Sequence, residues 1–265
     1  MLGRGSLVKK TFVILSIFMV VLAWNPSSGY TEANRIPAQF RGKVIRSRVR
    51  YFPYKLLALT FDDGPDPRNT PIVLNALKKY NAHATFFVIG SEAKRYPKLL
   101  REIVEGGNEI GSHSYTHPAH PTPAQSIQEL DKTAEVIRKA TGIAPVCYRP
   151  PYGIVHNNLT RLALNRGYAV FLWTISSADT RPVSVMTLAN NVIHTPNPGD
   201  IILMHDGPGH IRTTQAVPII LSQLTRMGFK FVTLPQLLQA WSAWERTHPH
   251  NMLRSMDRSH SYRLR

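Results

Sequence analysis

Seven apolar runs of strand length, each followed by a stretch of helical periodicity, constrain this chain more than any other feature. The runs are LLALTF (56–61), ATFFVIG (84–90), NEIGS (108–112), VCYR (146–149), YAVFLWTIS (168–176), DIILMH (200–205) and FKFVTL (229–234). They are rich in β-branched and aromatic residues and nearly continuous in hydrophobicity, the pattern of strands buried on both faces. Between them, PIVLNALKKY opens with Pro71 at a first helical position, and YPKLLREIVEGG closes on a glycine pair suited to a left-handed cap. Thr122-Pro-Ala-Gln125 has the form of a capping box. Behind it Ile127, Leu130, Ala134 and Ile137 share one helical face, and Gly142 ends the helix. Helical patterns follow at 158–166, 185–194 and 214–227, and PQLLQAW trails the last run. Strand and helix in strict alternation require a parallel sheet. Seven units without a glycine-rich dinucleotide fingerprint favour a barrel over an open doubly wound sheet. The expected fold is α/β, a (β/α) barrel of about seven parallel strands covering residues 55–241.

Outside that pattern the chain changes character. Residues 1–29 read as an export signal: Arg4, Lys9 and Lys10 precede the apolar run TFVILSIFMVVLAW, and Ser27 and Gly29 offer a cleavage site. The run is shorter than the ~20 residues that cross a bilayer comfortably, so a cleaved signal is preferred to an uncleaved membrane anchor. Either reading places the domain outside the cytoplasm. Residues 30–54 form a basic linker with Arg41, Lys43, Arg46, Arg48 and Arg50, and a short strand within VIRSRVRYF. Residues 242–265 are expected to be a disordered basic tail. The net charge of +16 attracts polyanions: an acidic wall polymer, lipid headgroups or nucleic acid. No nucleic-acid motif or aromatic-plus-basic platform accompanies it, so a basic exported protein is preferred, with no protein partner indicated. Cys147 is the single cysteine, which excludes an internal disulfide and a thiolate metal cluster. Its apolar run marks it as a structural thiol.

In parallel βα barrels functional residues collect where strands end. Here unusual polar residues follow the apolar runs: Asp62-Asp63 after the first, GSHSYTHP after the third, RPPYG after the fourth, SSAD after the fifth and MHDGPG after the sixth. His113 and His117 are four residues apart, so on a helical turn their rings would share a face. Two histidines and an aspartate make a three-ligand site with room for water, the layout of catalytic zinc centres and also of non-haem iron oxygenases. Asp206-Gly207 reads as a turn. His120, His194 and His210 read as loop or surface residues, with only His210 near enough to a strand exit to line the cleft. Phe86 and Phe87 read as core, and Trp173 lies within reach of the pocket.

TFDDGP, HSYTH, RPPY and LMHD, in this order, resemble four of the five motifs of the polysaccharide deacetylases, the NodB-homology domain of carbohydrate esterase family 4. The resemblance covers about residues 56–241. It implies a distorted (β/α) barrel and one divalent metal, zinc first with cobalt or nickel as alternatives. It also implies removal of acetyl groups from a cell-wall polysaccharide or oligosaccharide such as peptidoglycan or chitin. Carried over by position, Asp63, His113 and His117 are the expected metal ligands, Asp62 the general base and His205 the general acid. Arg149 holds the base, the backbone N–H of Tyr152 faces the oxyanion, and Ile202 and Leu203 form an apolar wall for the acetyl methyl. The remaining motif usually supplies an Asp-Trp pair; here Asp179 matches the aspartate, as the expected partner of His205, but Thr180 stands in place of tryptophan and Ser176 where an acid is common. A helix cap ahead of Pro182 is the competing reading of Asp179.

Three rivals remain. A glycosidase needs carboxylates ~5–9.5 Å apart across a sugar ring, which adjacent Asp62 and Asp63 cannot provide. A non-catalytic wall-binding protein would be expected to have lost ligands or the acid–base pair, and none is missing. An O-acetyl esterase acting on xylan shares fold and mechanism and differs only in substrate; the export signal and charge favour an anionic wall polymer.

Overall fold

A computed structural model of the chain describes residues 35–194 and 196–248. The export-signal segment and the tail beyond residue 248 lie outside the described residues. Among those described, no helix is long and apolar enough to cross a membrane.

Nine parallel strands form one sheet: β1 (Val44–Ile45), β2 (Leu56–Asp62), β3 (Ala84–Val88), β4 (Glu109–Ser112), β5 (Cys147–Tyr148), β6 (Ala169–Phe171), β7 (Ile175–Ser176), β8 (Ile201–His205) and β9 (Lys230–Phe231). Their order is β1-β6-β5-β4-β3-β2-β8-β7, with β9 added beside the start of β2. Among the described residues eight α-helices connect or flank them: α1 (Asn69–Lys79), α2 (Gly90–Arg95), α3 (Pro97–Glu105), α4 (Pro123–Thr141), α5 (Asn158–Asn165), α6 (Val185–Ile193), α7 (Ile211–Arg226) and α8 (Leu234–Thr247).

The topology dictates a curled sheet. β6 lies next to one edge and β7 forms the other, yet only Leu172–Thr174 separates them. Four Cα steps span at most about 14 Å, so the two edges must bend toward one another. This explains one departure from the expected seven strands: the run YAVFLWTIS is not one strand but two, broken where the chain crosses between edges. The sheet remains an open half-barrel, because β1 and β7 do not pair among the described residues.

Two further boundaries are corrected. The segment expected as a linker is part of the domain from residue 35: β1 pairs with β6 (Val44↔Val170), and Ile36, Ile45 and Phe52 are buried. At the other end α8 continues to Thr247, past residue 241, with Ser242 buried. Leu237, Leu238 and Trp241 of α8 join Ile36, Ile45 and Phe52 around Ala58 and Ile201, filling the interior at the end of the strands opposite the site. Burying such large side chains removes apolar surface worth ~1.5–3 kcal/mol each, which a disordered tail or solvated linker would forgo.

Local signals held where they were strongest. Thr122 and Gln125 form the reciprocal capping box of α4, and Gly142 closes it at φ 78°. α1 starts two residues ahead of Pro71 because Asp66 Oδ1 accepts from the N–H groups of Arg68 and Asn69 (2.9 and 2.8 Å). Cys147 is fully buried, and burial pushes its thiol pKa up.

Candidate active site

Side chains alternate along a strand. Thr60 and Asp62 of β2 therefore face the interior together, in register with Leu203 and His205 of β8. Between them, from the end of β5, comes Arg149, a fully buried guanidinium. Its Nη1 donates to Asp62 Oδ1 (2.8 Å) and Thr60 Oγ1 (2.7 Å), and Nε and Nη2 donate to the carbonyls of Phe171 and Leu172. Thr60 in turn donates to the Ile202 carbonyl (2.6 Å). The guanidinium also lies 4.3 Å from the centre of the Phe87 ring. A buried cation with that many partners can hold a neighbouring carboxylate in one rotamer. Burial pushes the Asp62 pKa up, and the charge of Arg149 opposes the rise.

Asp63 follows at φ 70°, a left-handed conformation that aspartate tolerates better than most residues. Beyond it, a Cβ at Gly64 would run into the buried Asp206 carboxylate, so only glycine fits there. Asp63 Oδ1 lies 3.4 Å from His113 Nε2 and 3.5 Å from His117 Nε2, and the two ring nitrogens are 3.2 Å apart. The His113–His117 spacing acts through a loop, not the helical turn its period suggested; Ser114 and His117 both adopt positive φ. Glu129 of α4 ties that loop down, accepting from the N–H groups of Tyr115 and Thr116 and from the Thr116 hydroxyl.

The donor set fits a divalent cation. His113 Nδ1 is 2.8 Å from the Arg149 carbonyl, an acceptor only, so Nδ1 carries the proton and the Nε2 lone pair points into the cluster. Burial holds the His113 imidazole neutral, its pKa far below the ordinary range. Asp63 Oδ1 is buried with no hydrogen-bond partner. The triangle of 3.2, 3.4 and 3.5 Å edges matches the ~3.3 Å between ligands of a tetrahedral ion with bonds of about 2.0–2.1 Å.

On the other side of Asp62 stands a second constellation. His205 Nδ1 is 2.8 Å from Asp179 Oδ1, and its backbone N–H donates to Asp179 Oδ2 (2.7 Å). Thr213 Oγ1 adds a third bond to that carboxylate (2.8 Å). Burial pulls the His205 pKa down, but the Asp179 hydrogen bond and the charges of Asp62, Asp179 and Asp63 outweigh it and raise it to about 9. Asp179 is not a helix cap: Ser184 caps α6. Thr180, in place of the usual tryptophan, is exposed, whereas Trp173 lies in the site wall, its ring 5.9 Å from the Arg149 guanidinium.

Tyr152 sits at φ 57° in the turn Pro151–Gly153, 67% exposed, with its ring 4.5 Å from that of His117. Leu203 shares the face of His205. Ile202 does not: it packs with Met204, Leu188, Val192 and Ala216 in the outer core, and contributes only its carbonyl to the Thr60 bond. Period-two alternation forbids both neighbours from lining one wall.

Two residues gained importance. His210 stacks on His205 (centroids 4.9 Å, 21° between planes) with Nδ1 3.9 Å from Asp179. Asp206, read from the sequence as part of a turn, is fully buried, bonded by Thr70 Oγ1 (2.5 Å), with its N–H on the Asp62 carbonyl. Burial lifts its pKa to about 7.

Comparison with known proteins shows what the chain and its fold are similar to. The polysaccharide deacetylase family model matches residues 50–171. A peptidoglycan-N-acetylglucosamine deacetylase of Bacillus cereus is 38% identical over 221 residues, covering 82% of this chain and 76% of that protein. A chitooligosaccharide deacetylase of Bradyrhizobium is 36% identical, covering 68% of this chain and 89% of that one. The crystal structure of the peptidoglycan N-acetylglucosamine deacetylase Bc1960 superposes with a TM-score of 0.70 at 34% identity, over 76% of this chain and 94% of that one. Sequence similarity of that extent, on a shared half-barrel, establishes that the chain belongs to the polysaccharide deacetylase family.

Proposed function

We propose that this protein is a metal-dependent N-deacetylase that releases acetate from N-acetylglucosamine in peptidoglycan or a related amino-sugar polymer. Zinc is the proposed metal and the extracytoplasmic wall the proposed place of work. The observation that carries the reading is the separation of roles around Asp62: Arg149 on one side, the Asp63–His113–His117 triangle on another, and the His205–Asp179 pair on a third. Relatives named for peptidoglycan and chitooligosaccharide deacetylation support the substrate class.

A divalent ion held by Asp63, His113 and His117 would supply Lewis acidity at the acetyl carbonyl and acidify water. The chain's own groups do the rest. Asp62, with Oδ1 held by Arg149, keeps Oδ2 for the proton of the attacking water. The Tyr152 N–H donates to the oxygen that becomes anionic, and Leu203 faces the methyl. The amine cannot leave as an anion, so His205, protonated and anchored through Nδ1, delivers a proton from Nε2. The products are acetate and the free amino sugar.

Acetate measured from peptidoglycan, chitooligosaccharides and acetylated xylan in parallel, each with and without chelator, tests the proposal. Chelator-sensitive release from the amino-sugar polymers is expected; release from xylan alone would reassign the protein as an O-acetyl esterase.

Asp179→Asn tests the acid. His205 must be protonated to act, and its raised pKa keeps it so through neutral pH until the proton is lost near pH 9. Replacing the carboxylate removes the largest of the raising influences, and the alkaline limb of the kcat profile should move to lower pH. An unmoved alkaline limb would exclude the pair from proton delivery.

A further inference from the structure

A polymer has to extend past the metal triangle, and one rim of the site carries a pocket that none of the catalytic steps uses. It measures about 230 Å³, opens to solvent, and is lined by His120, Pro121, His156, Asn157, Asn158 and Arg161. One lip lies three residues beyond His117, and the other follows Tyr152, whose ring rests on His117. The lips are stitched together: Asn157 Nδ2 donates to the Ala119 carbonyl (2.9 Å) and Asn158 Nδ2 to the Pro121 carbonyl (3.0 Å). The pocket is thus held in place relative to the triangle.

Its chemistry has one sign. No acidic residue lines it, and the two carboxamide NH₂ groups already have carbonyl partners. Asn157 Oδ1 accepts from the Thr160 N–H (2.8 Å) and Asn158 Oδ1 from Arg161 Nη2 (2.5 Å). What remains for a ligand is the other guanidinium N–H groups of Arg161, positioned by that one bond, and a ring N–H donor on each of His120 and His156. Such a set recognises an acceptor with negative charge, and Arg161 offers the planar fork that matches a carboxylate. Neutral chitooligosaccharides carry no such group; peptidoglycan carries carboxylates on its stem peptides and, on muramic residues without a stem, on the lactyl ether.

We propose that this pocket is a carboxylate subsite, binding an acidic group of the strand next to the sugar being deacetylated and so favouring peptidoglycan over chitin. The inference rests on the deacetylase reading above.

The test compares kcat/KM for acetate release by the full chain and its Arg161→Ala and Arg161→Glu variants. The substrates are chitotetraose, a peptide-free oligomer of alternating N-acetylglucosamine and N-acetylmuramic acid, and the same oligomer bearing stem peptides. The quantity read is the ratio of each acidic substrate to chitotetraose, which cancels any loss of folded enzyme. The ratio should fall about tenfold in Arg161→Ala and further in Arg161→Glu, through KM, and the difference should shrink with added salt. A fall with the peptide-free oligomer assigns the lactyl carboxylate; a fall only with the peptide-bearing one assigns the stem. Ratios unchanged for both would overturn the subsite. Wild-type protein that releases no acetate from any of the three would instead overturn the deacetylase reading.

Discussion

Asp63→Ala is expected to yield a folded protein that holds no stoichiometric divalent metal and releases acetate only at background rate. The carboxylate is one corner of a triangle whose other corners are two imidazoles, so its removal takes the only carboxylate from the donor set. Loss of an outer-shell partner alone costs ~10–100-fold in metal affinity; loss of a ligand from a three-residue site should cost far more. Folding should survive, since Asp63 is 28% exposed and makes no hydrogen bond through Oδ1. Metal content of the purified variant, its thermal melt and its turnover form the measurement. Full-rate acetate release without bound metal would sink the mechanism.

The variant is informative because the sequence already separates the two neighbouring aspartates by what else it sends to that end of the barrel. Strand-length apolar runs followed by polar clusters were enough to locate β2, β4, β5 and β8 and the residues at their ends. What stayed hidden was whatever depends on three-dimensional closeness or on parity. Ile202 and Leu203 look equivalent as letters, yet one faces the helices and the other the site. Asp206 reads as a turn residue until Thr70, 136 positions away, is found bonded to it. His210 becomes a neighbour of Asp179 and His205 only because α7 begins where β8 ends. Glu129 lies in the middle of a helix whose exposed face predicts nothing about the loop it fastens. The N-terminal segment misled for a different reason: its basic side chains alternate with the few apolar ones, Ile36, Ile45 and Phe52, that bury themselves. The short strand expected within VIRSRVRYF is there, but charge density concealed that it joins the sheet and its core.

Asp62→Asn should separate metal binding from turnover. Asparagine is nearly isosteric and keeps an oxygen for Arg149 Nη1, so the metal triangle, which includes no atom of Asp62, should load as in the parent. The base is lost. An amide cannot take a proton from water, and positioned general bases contribute ~10²–10⁴-fold, so kcat should fall by that factor. KM should change much less. Stability should fall as well, because Arg149 is fully buried and Asp62 is its carboxylate partner. Removing one member of a buried pair costs ~3–5 kcal/mol when nothing replaces it; the retained acceptor in asparagine should keep the loss below that range, and Asp62→Ala should reach it. The decisive comparison is therefore between neighbours in the chain. Asp62→Asn with metal and little turnover, beside Asp63→Ala with neither, would mean that one carboxylate handles the proton while the next holds the ion. If Asp62→Asn turned over at the parental rate, proton removal would have to be assigned to another group, and Asp206, buried behind the same turn, would be the next to replace.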